Sequence, residues 1–232
     1  MEIVIYIYNG MTMLDAIGPY EVLRNLDHVN IKFVSKNKGE ITADSNFIHL
    51  NSKYGIDEIH SADILLIPGS TISFIKEMKD QKVLNWIKKI DQTTQRTVSI
   101  CTGSIILAAT GLLRSKKATS HWAAIDFLTQ YDVIPTRERI VEQGKFITAA
   151  GVSAGIDMAL YLIHNLQGPT SAKTAQLVIE YDPSPMFQSG NYSTAEEQII
   201  KLAREKMKKG VMEELTPWEI IKNAPILLKL KK

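Results

Sequence analysis

The chain has 232 residues, of which 45% are hydrophobic and 22% are charged, a composition typical of a globular protein with its own core. A formal net charge of +2, with acidic and basic residues interleaved, argues against a nucleic-acid platform. No apolar run approaches the roughly 20 residues that cross a bilayer, and a single cysteine excludes an internal disulfide.

Short apolar runs rich in branched residues alternate with helical patterns along most of the chain. Strands are predicted at 3–8, 31–34, 62–67 and 97–100, with short pairing strands near 41 and 47–50 and a hairpin over 140–147. Helices are predicted to begin near Gly18 and to cover 83–90, 104–110, 121–131, 154–164 and 170–179. This alternation predicts an α/β fold with a mostly parallel central sheet flanked by helices.

The pattern changes after Asp182, where Asp182-Pro183-Ser184-Pro185 is typical of a linker. A charged helix over 194–208 and a moderately apolar tail over 217–232 follow. We therefore divide the chain into an α/β domain, 1–190, and a C-terminal helical extension and tail, 191–232, whose role the sequence leaves open.

Cys101 is the first candidate for a functional residue, because it lies between a buried strand and the helix that begins at Thr102-Gly103-Ser104. Such a turn projects a side chain above the sheet edge where ligands of open α/β sheets bind. Helix N-terminal amides there favour a thiolate. The alternative is a cysteine that packs as a small hydrophobic residue, as lone cysteines often do. The strand–turn–helix context favours the nucleophile.

The residues around this turn match a known family. Ser99-Ile100-Cys101-Thr102-Gly103, with Pro68-Gly69 after an upstream strand, resembles the DJ-1/PfpI superfamily. More narrowly, the sequence is similar to isonitrile (isocyanide) hydratases and to the amidotransferase-like domains of certain AraC-type regulators. Four further stretches fit that narrower group in chain order: Leu14–Val22, Ala118–Trp122, Gly151–Asp157 and Ile179–Pro185.

The resemblance implies a flavodoxin-like three-layer α/β/α sandwich, a homodimer and a small-molecule substrate. Carried over to this sequence, Cys101 is the nucleophile, Asp15 is the carboxyl that contacts it, and Thr102 supports the site. Backbone amides near Gly69-Ser70 and Thr102 would form an oxyanion-hole-like cradle. The residues carried over to the substrate side are His121, Gly151 and Val152.

Two positions depart from the family pattern. Ser70 stands where the family commonly has a second glycine, so its side chain could narrow or reorient the pocket. Thr102 stands where protease-like relatives have histidine, which argues against proteolysis. The regulators continue into a helix-turn-helix domain, whereas only about 40 residues follow the matched region here, so we expect no DNA binding.

A carboxyl beside a thiol suits a hydration, which needs one nucleophile and one proton donor. The hypothesis is that Cys101 attacks the terminal carbon of an isonitrile, Asp15 delivers a proton, and water then releases an N-formamide. Without the resemblance, Asp15 would be interpreted as the N-cap of the helix near Gly18. His121 could line the pocket or donate a structural hydrogen bond, and the structural role is favoured over a catalytic one. Glu21 is only a distant rival of Asp15 for the carboxyl role.

The histidines lack metal-ligand spacing, and no Gly-rich nucleotide fingerprint follows the first strand, so neither a metal nor an organic cofactor is expected. No leader-like segment follows Met1, and with the lone cysteine this predicts a cytoplasmic protein without membrane contact. Two alternatives to the hydratase stay open. One is another DJ-1-type enzyme, a glyoxalase, deglycase or amidase, and the other is a thiol-based redox or stress sensor.

Overall fold

The computed structural model describes residues 1–216 and 218–223. Pro217 and residues 224–232, which include much of the predicted apolar tail, lie outside the described residues. The chain divides into two compact units, Met1–Glu180 and Tyr181–Lys232. The sequence-based division at residue 190 falls inside the second unit, and the role of 191–232 stays open.

The first unit alternates strands and helices as the apolar pattern predicts. Its strands are β1 (Glu2–Tyr6), β2 (Asn30–Ser35), β3 (Gly39–Thr42), β4 (His49–Ser52), β5 (Tyr54–Gly55), β6 (Ile64–Ile67), β7 (Arg96–Ile100), β8 (Lys117–Ala118), β9 (Ile134–Pro135), β10 (Ile140–Gln143) and β11 (Phe146–Ala149). Its α-helices are α1 (Met13–Leu23), α2 (Phe74–Glu77), α3 (Gln81–Asp91), α4 (Gly103–Ala109) and α5 (Ala154–Val178). Two 3₁₀ helices cover Ile56–Glu58 and Ile125–Tyr131.

Seven strands form the central sheet in the order β10-β11-β7-β6-β1-β2-β5. Every neighbouring pair is parallel except β10 and β11, which form the predicted hairpin. All four residues of β6 are fully buried, as expected for the centre of a parallel sheet covered on both faces. Helix α1 packs against α5, while α2 and α3 pack against α4. The architecture is the flavodoxin-like α/β/α sandwich that the resemblance implies.

Two elements differ from their predictions. Helix α1 begins at Met13 rather than near Gly18, so Pro19 lies inside it. The segment predicted as an α-helix over 121–131 is a 3₁₀ helix that begins at Ile125. The prediction of two helices over 154–164 and 170–179 is confirmed, because α5 consists of two helical stretches that meet at a kink at Gly168, where φ is 84°. That left-handed conformation is accessible to glycine, which is why the chain turns there.

The second unit contains α6 (Glu197–Glu214), a charged helix that begins three residues after its predicted start and continues past its predicted end. A further short helical segment covers residues 218–223. Among residues 1–216 and 218–223, no helix combines the length and the apolarity needed to cross a bilayer.

Candidate active site

The strand order brings three distant loops to one edge of the sheet. Strands β7, β6 and β1 are consecutive neighbours, and Cys101, Gly69 and Asp15 each follow one of them. The order in which strands are added to the sheet reverses between the parallel neighbours β1 and β6, because β1 connects towards β2 on one side and β6 connects towards β7 on the other. Ligands of open α/β sheets bind at such a switch point, outside the carboxyl ends of the strands.

Cys101 lies on a tight turn between β7 and α4. Its φ of 57° is left-handed, an unusual conformation for a residue other than glycine. The amide of Cys101 donates to the carbonyls of Ala149 and Ala150, at 3.1 and 2.8 Å. Its carbonyl accepts from the hydroxyls of Ser104 and Ser120, each at 3.0 Å. These four bonds hold the turn in its strained conformation, as found at functional sites.

Asp15 lies in the first turn of α1 and is fully buried. Its Oδ2 accepts from the amide of Gly69 at 2.9 Å. Its Oδ1 is also buried and receives no well-formed hydrogen bond from any described residue, and the Cys101 thiol is the donor that interacts with the carboxyl. Burial raises the pKa of Asp15 from 3.8 to about 7, and the bonds from Gly69 and Cys101 only partly oppose this. Asp15 can therefore exchange a proton near neutral pH.

The Cys101 side chain is only 4% exposed, and this changes the expected state of its sulfur. Burial raises the pKa of the thiol well above its usual value, and the neighbouring Asp15 charge raises it further. The amide of Thr102, which hydrogen-bonds the sulfur, lowers the pKa but does not outweigh burial. The prediction of a resting thiolate is therefore wrong, because burial raises the pKa of the thiol more than the amides at the start of α4 lower it. The resting pair is a thiol beside a titrating carboxyl.

Thr102 joins the cysteine turn to the loop after β6. Its Oγ1 accepts from the amide of Ser70 and donates to the carbonyl of Ser70, both at 2.8 Å. The amides of Gly69 and Ser70 thus already donate to Asp15 and Thr102, whereas the amide of Thr102 faces the sulfur. Of the amides expected to form the cradle, the amide of Thr102 is therefore the one that lies against the Cys101 sulfur.

The Ser70 side chain is directed into the protein. Its Oγ accepts from the amide of Phe74 at 2.6 Å, and the residue is 2% exposed. Ser70 also hydrogen-bonds Tyr8, whose hydroxyl donates to the carbonyl of Pro68 at 3.1 Å. The Ser70 side chain therefore holds the loop after β6 from the protein interior and does not narrow the pocket. Tyr8 was not predicted as part of the site, and its position directly after β1 is the one signal that could have indicated it.

Close backbone approach explains two glycines at the site. A Cβ on Gly69 would lie 2.5 Å from the amide nitrogen of Thr102 and 2.9 Å from the Cβ of Cys101. A Cβ on Gly103 would lie 2.2 Å from the carbonyl oxygen of Ile67. Contacts this short cannot form without moving backbone, so glycine at both positions lets the cysteine turn pack against the end of β6.

His121 and Gly151 lie together beside the turn. A Cβ on Gly151 would lie 3.0 Å from Cδ2 of His121, and the loop preceding Gly151 accepts the Cys101 amide. Burial lowers the pKa of His121 to about 4, so its ring is neutral at pH 7. Its Nδ1 accepts from the amide of Ala123 at 3.3 Å, which places the proton on Nε2. Val152 is half-buried next in the chain, and no described contact joins it to Cys101.

The structure also decides the alternative interpretation of Asp15 and shows which residues Glu21 and Asp157 contact. The N-cap of α1 is Thr12, so the interpretation of Asp15 as a cap is wrong. Glu21 is exposed and pairs with Arg24 at 2.7 Å, away from the cysteine. Asp157 pairs with Arg139. Within the described residues, no three His, Cys, Asp or Glu side chains are grouped so that they could hold a metal ion.

The chain is similar in sequence and fold to several known proteins. Residues 1–165 match the model of the DJ-1/PfpI family. The chain is 34% identical over 206 residues to an isonitrile hydratase of Pseudomonas putida, covering 89% of this chain and 90% of the relative. It is 30% identical to the HTH-type transcriptional regulator CdhR of Pseudomonas aeruginosa over 71% of this chain, but it covers only 49% of that regulator. A crystal structure of a ThiJ/PfpI family protein from Pseudomonas syringae superposes with a TM-score of 0.84 at 33% identity, covering 93% of this chain and 90% of that one.

Proposed function

Because this chain belongs to the DJ-1/PfpI family, we propose that it is an isonitrile hydratase-like enzyme that converts R–N≡C and water into R–NH–CHO. The observation that carries the proposal is the buried Asp15 carboxyl, with its pKa raised to about 7, in contact with the thiol of Cys101. Similarity to the Pseudomonas putida hydratase along nine-tenths of both chains supports the choice of substrate class.

The first half-reaction forms a carbon–sulfur bond. Ionised Asp15 takes the proton of the Cys101 thiol as the sulfur attacks the terminal carbon of the isonitrile. Asp15 then gives that proton to the same carbon, which leaves the thioimidate R–N=CH–S on Cys101. Asp15 is suited to both transfers because a general acid–base works best with a pKa near the working pH. The amide of Thr102 stabilises negative charge on the sulfur during the attack.

The second half-reaction adds water and breaks that bond. Asp15 takes a proton from water as the oxygen bonds to the thioimidate carbon, and it delivers this proton to the nitrogen. The intermediate is R–NH–CH(OH)–S–Cys101. Loss of the hydroxyl proton to Asp15 expels the sulfur, which recovers the proton, and R–NH–CHO leaves. The atoms balance with water alone, so the proposed reaction uses neither a metal nor an organic cofactor.

Two features of the site help to choose between the proposed hydratase and a redox sensor. Sensor cysteines have a lowered pKa, whereas burial raises the pKa of Cys101. The neutral His121, with Nε2–H available on the side of Gly151, suits recognition of an uncharged substrate better than an anion. These features favour an enzyme with a small uncharged substrate over a redox sensor. They do not separate the hydratase from a glyoxalase or deglycase, which the substrate assays described below distinguish.

We further propose that the protein acts in the cytoplasm as a homodimer, without nucleic acid or membrane partners. The first unit exposes the apolar residues Phe47, at 90%, and Leu177, at 80%. Large apolar side chains left exposed in this way are often covered by another protein molecule.

The decisive experiment follows formamide production from an aryl isonitrile. Wild-type protein is expected to turn over, with the rate rising through about pH 7 as Asp15 ionises. Cys101→Ala and Asp15→Asn are each expected to lower kcat/KM by at least about 100-fold, since each removes a group that bonds or transfers a proton in the transition state. Glu21→Gln is the matched control on the same helix and should leave the rate unchanged.

The alternatives are tested with the same preparations. Turnover of methylglyoxal without turnover of the isonitrile would replace the hydratase with a glyoxalase-like enzyme. If neither substrate reacts and Cys101 oxidises at low peroxide concentration, the sensor is the correct interpretation.

A further inference from the structure

Asp44, in the connection between β3 and β4, accepts two hydroxyl groups from different loops of the site. Its Oδ2 accepts from Oγ1 of Thr12 at 2.7 Å and from Oγ1 of Thr71 at 3.2 Å. The amide of Asp44 donates to the carbonyl of Met11 at 3.0 Å. We call the side chains of Asp44, Thr12 and Thr71 the Asp44 clasp.

The two threonines belong to the segments that define the position of Asp15. The carbonyl of Thr12 accepts the amide of Asp15 at 3.1 Å, and the amide of Thr12 donates to the carbonyl of Gly69 at 3.0 Å. Thr71 lies two residues after Gly69, whose amide donates to Oδ2 of Asp15. The clasp therefore connects the loop that carries Asp15 to the loop that hydrogen-bonds it.

Asp44 also acts on Asp15 through charge. Two negative carboxylates near each other disfavour ionisation of the more buried one, and Asp44 accordingly raises the pKa of Asp15, after the larger effect of burial. The other titratable groups that face Asp15 are the Cys101 thiol and the Tyr8 hydroxyl, and both are neutral at pH 7 because burial raises the pKa of each. Asp44 is thus the charged group among those that face Asp15.

We propose that Asp44 is a positioning residue of the site: its carboxylate fixes the spacing of the two loops around Asp15 through the hydroxyls of Thr12 and Thr71, and it places a negative charge beside them. The proposal rests on the proposed function only in that Asp15 is the proton carrier for Cys101. It concerns a residue whose hydrogen bonds go to Thr12, Thr71 and Met11 and not to the Cys101 sulfur.

Two substitutions separate the role of the Asp44 hydrogen bonds from the role of its negative charge. Asp44→Asn keeps an oxygen that can accept both hydroxyls but removes the charge, whereas Asp44→Ala removes both. Glu40→Gln is the matched control, since it removes the same charge from the same hairpin at a side chain that is 70% exposed. The measurement is the rate of Cys101 alkylation by iodoacetamide between pH 5.5 and 9, followed by mass, because the chain has a single cysteine.

In wild-type protein the alkylation rate is expected to rise through about pH 7 as Asp15 becomes a base for the thiol. Asp44→Asn should keep the height of this step and move its midpoint to lower pH by at least about 0.3 unit, because a like charge has been removed. Asp44→Ala should lower the rate at pH 7.5 about tenfold, because the base is no longer held in place. Glu40→Gln should follow the wild-type curve.

A midpoint for Asp44→Asn that equals the wild-type value, or an equal shift for Glu40→Gln, would overturn the proposal. Isonitrile turnover by wild-type protein is measured in parallel. Absence of turnover together with the expected alkylation curves would reject the hydratase function and leave the role of Asp44 supported.

Discussion

At the scale of single residues, the buried carboxyl of Asp15 sets the pH behaviour of the site. Its pKa is about 7 in the folded protein and 3.8 in an exposed chain. The folded state therefore holds a proton that the unfolded state has lost between these pH values. The contribution of Asp15 to stability is greatest below about pH 3.8 and is lost as the pH rises through about 7.

Asp15→Asn removes this ionisation and is expected to raise the free energy of unfolding at pH 8.5 by on the order of 2 kcal/mol. The gain should shrink as the pH falls towards 4, where the wild-type carboxyl is protonated. Thermal unfolding of both proteins at pH 8.5 and 4.5 measures this, with Glu21→Gln as the control. A wild-type protein that is the more stable of the two at pH 8.5 would show that the carboxylate is well accommodated.

The juxtaposition of Cys101 and Asp15 could be predicted from sequence, but the protonation state of the pair and the residues that hold it could not. Cys101 and Asp15 lie in motifs that resemble a family, and the structure brings them together. The raised pKa of the thiol results from burial, which no local motif reports. Tyr8 and Asp44 reach the site through strand β1 and through the bridge between Met11 and Ala43, contacts between segments that are far apart in sequence.

At the scale of elements, the turn between β7 and α4 depends on the loop that follows β6. The sequence predicts this strand, turn and helix closely, because apolar strands and glycines mark their limits. The start of α1 is missed, since Gly18-Pro19 resembles a helix N-terminus. In the structure Pro19 is tolerated inside α1, and its ring faces Gly155 of α5, where even a Cβ would lie 3.2 Å away. Packing between helices thus overrides the local signal.

Gly69→Ala should disrupt the site through this packing. The added Cβ would lie 2.5 Å from the amide nitrogen of Thr102, so the cysteine turn must move. We expect a loss of at least about 100-fold in kcat/KM, as displacements of about 1 Å cause, and a destabilisation of about 2 kcal/mol.

Enzyme kinetics and thermal unfolding test this prediction. Gly210→Ala in α6 is the control, because beyond its chain neighbours and the surrounding helix backbone no described heavy atom lies within 4 Å of the position that its Cβ would take, and activity should persist. Full activity of Gly69→Ala would mean that the turn adapts without affecting the chemistry.

At the scale of the whole molecule, the exposed apolar residues are the main property that one isolated chain does not explain. In the first unit they include two adjacent pairs, Phe47 and Ile48 near the tip of the β3–β4 hairpin, and Leu177 and Val178 at the end of α5. Sequence periodicity predicts the elements that carry them, but it does not predict which apolar side chains remain outside the core. That outcome depends on how the helices and strands pack.

The homodimer proposal predicts a particle of twice the 26.0 kDa chain mass in light scattering coupled to size-exclusion chromatography. The paired changes Phe47→Ser with Ile48→Ser, and Leu177→Ser with Val178→Ser, test the two surfaces separately. At least one pair should yield a smaller particle, because association buries apolar area. A wild-type particle of single-chain mass would refute the dimer.

The left-handed backbone at Cys101 affects the stability of any variant in which the cysteine is replaced. Every side chain with a Cβ keeps the steric penalty of that turn, on the order of 1 kcal/mol, whether or not it reacts. Glycine releases this penalty but loses more backbone entropy on folding, so the difference in stability between a glycine variant and an alanine variant reports the balance of the two effects at this turn.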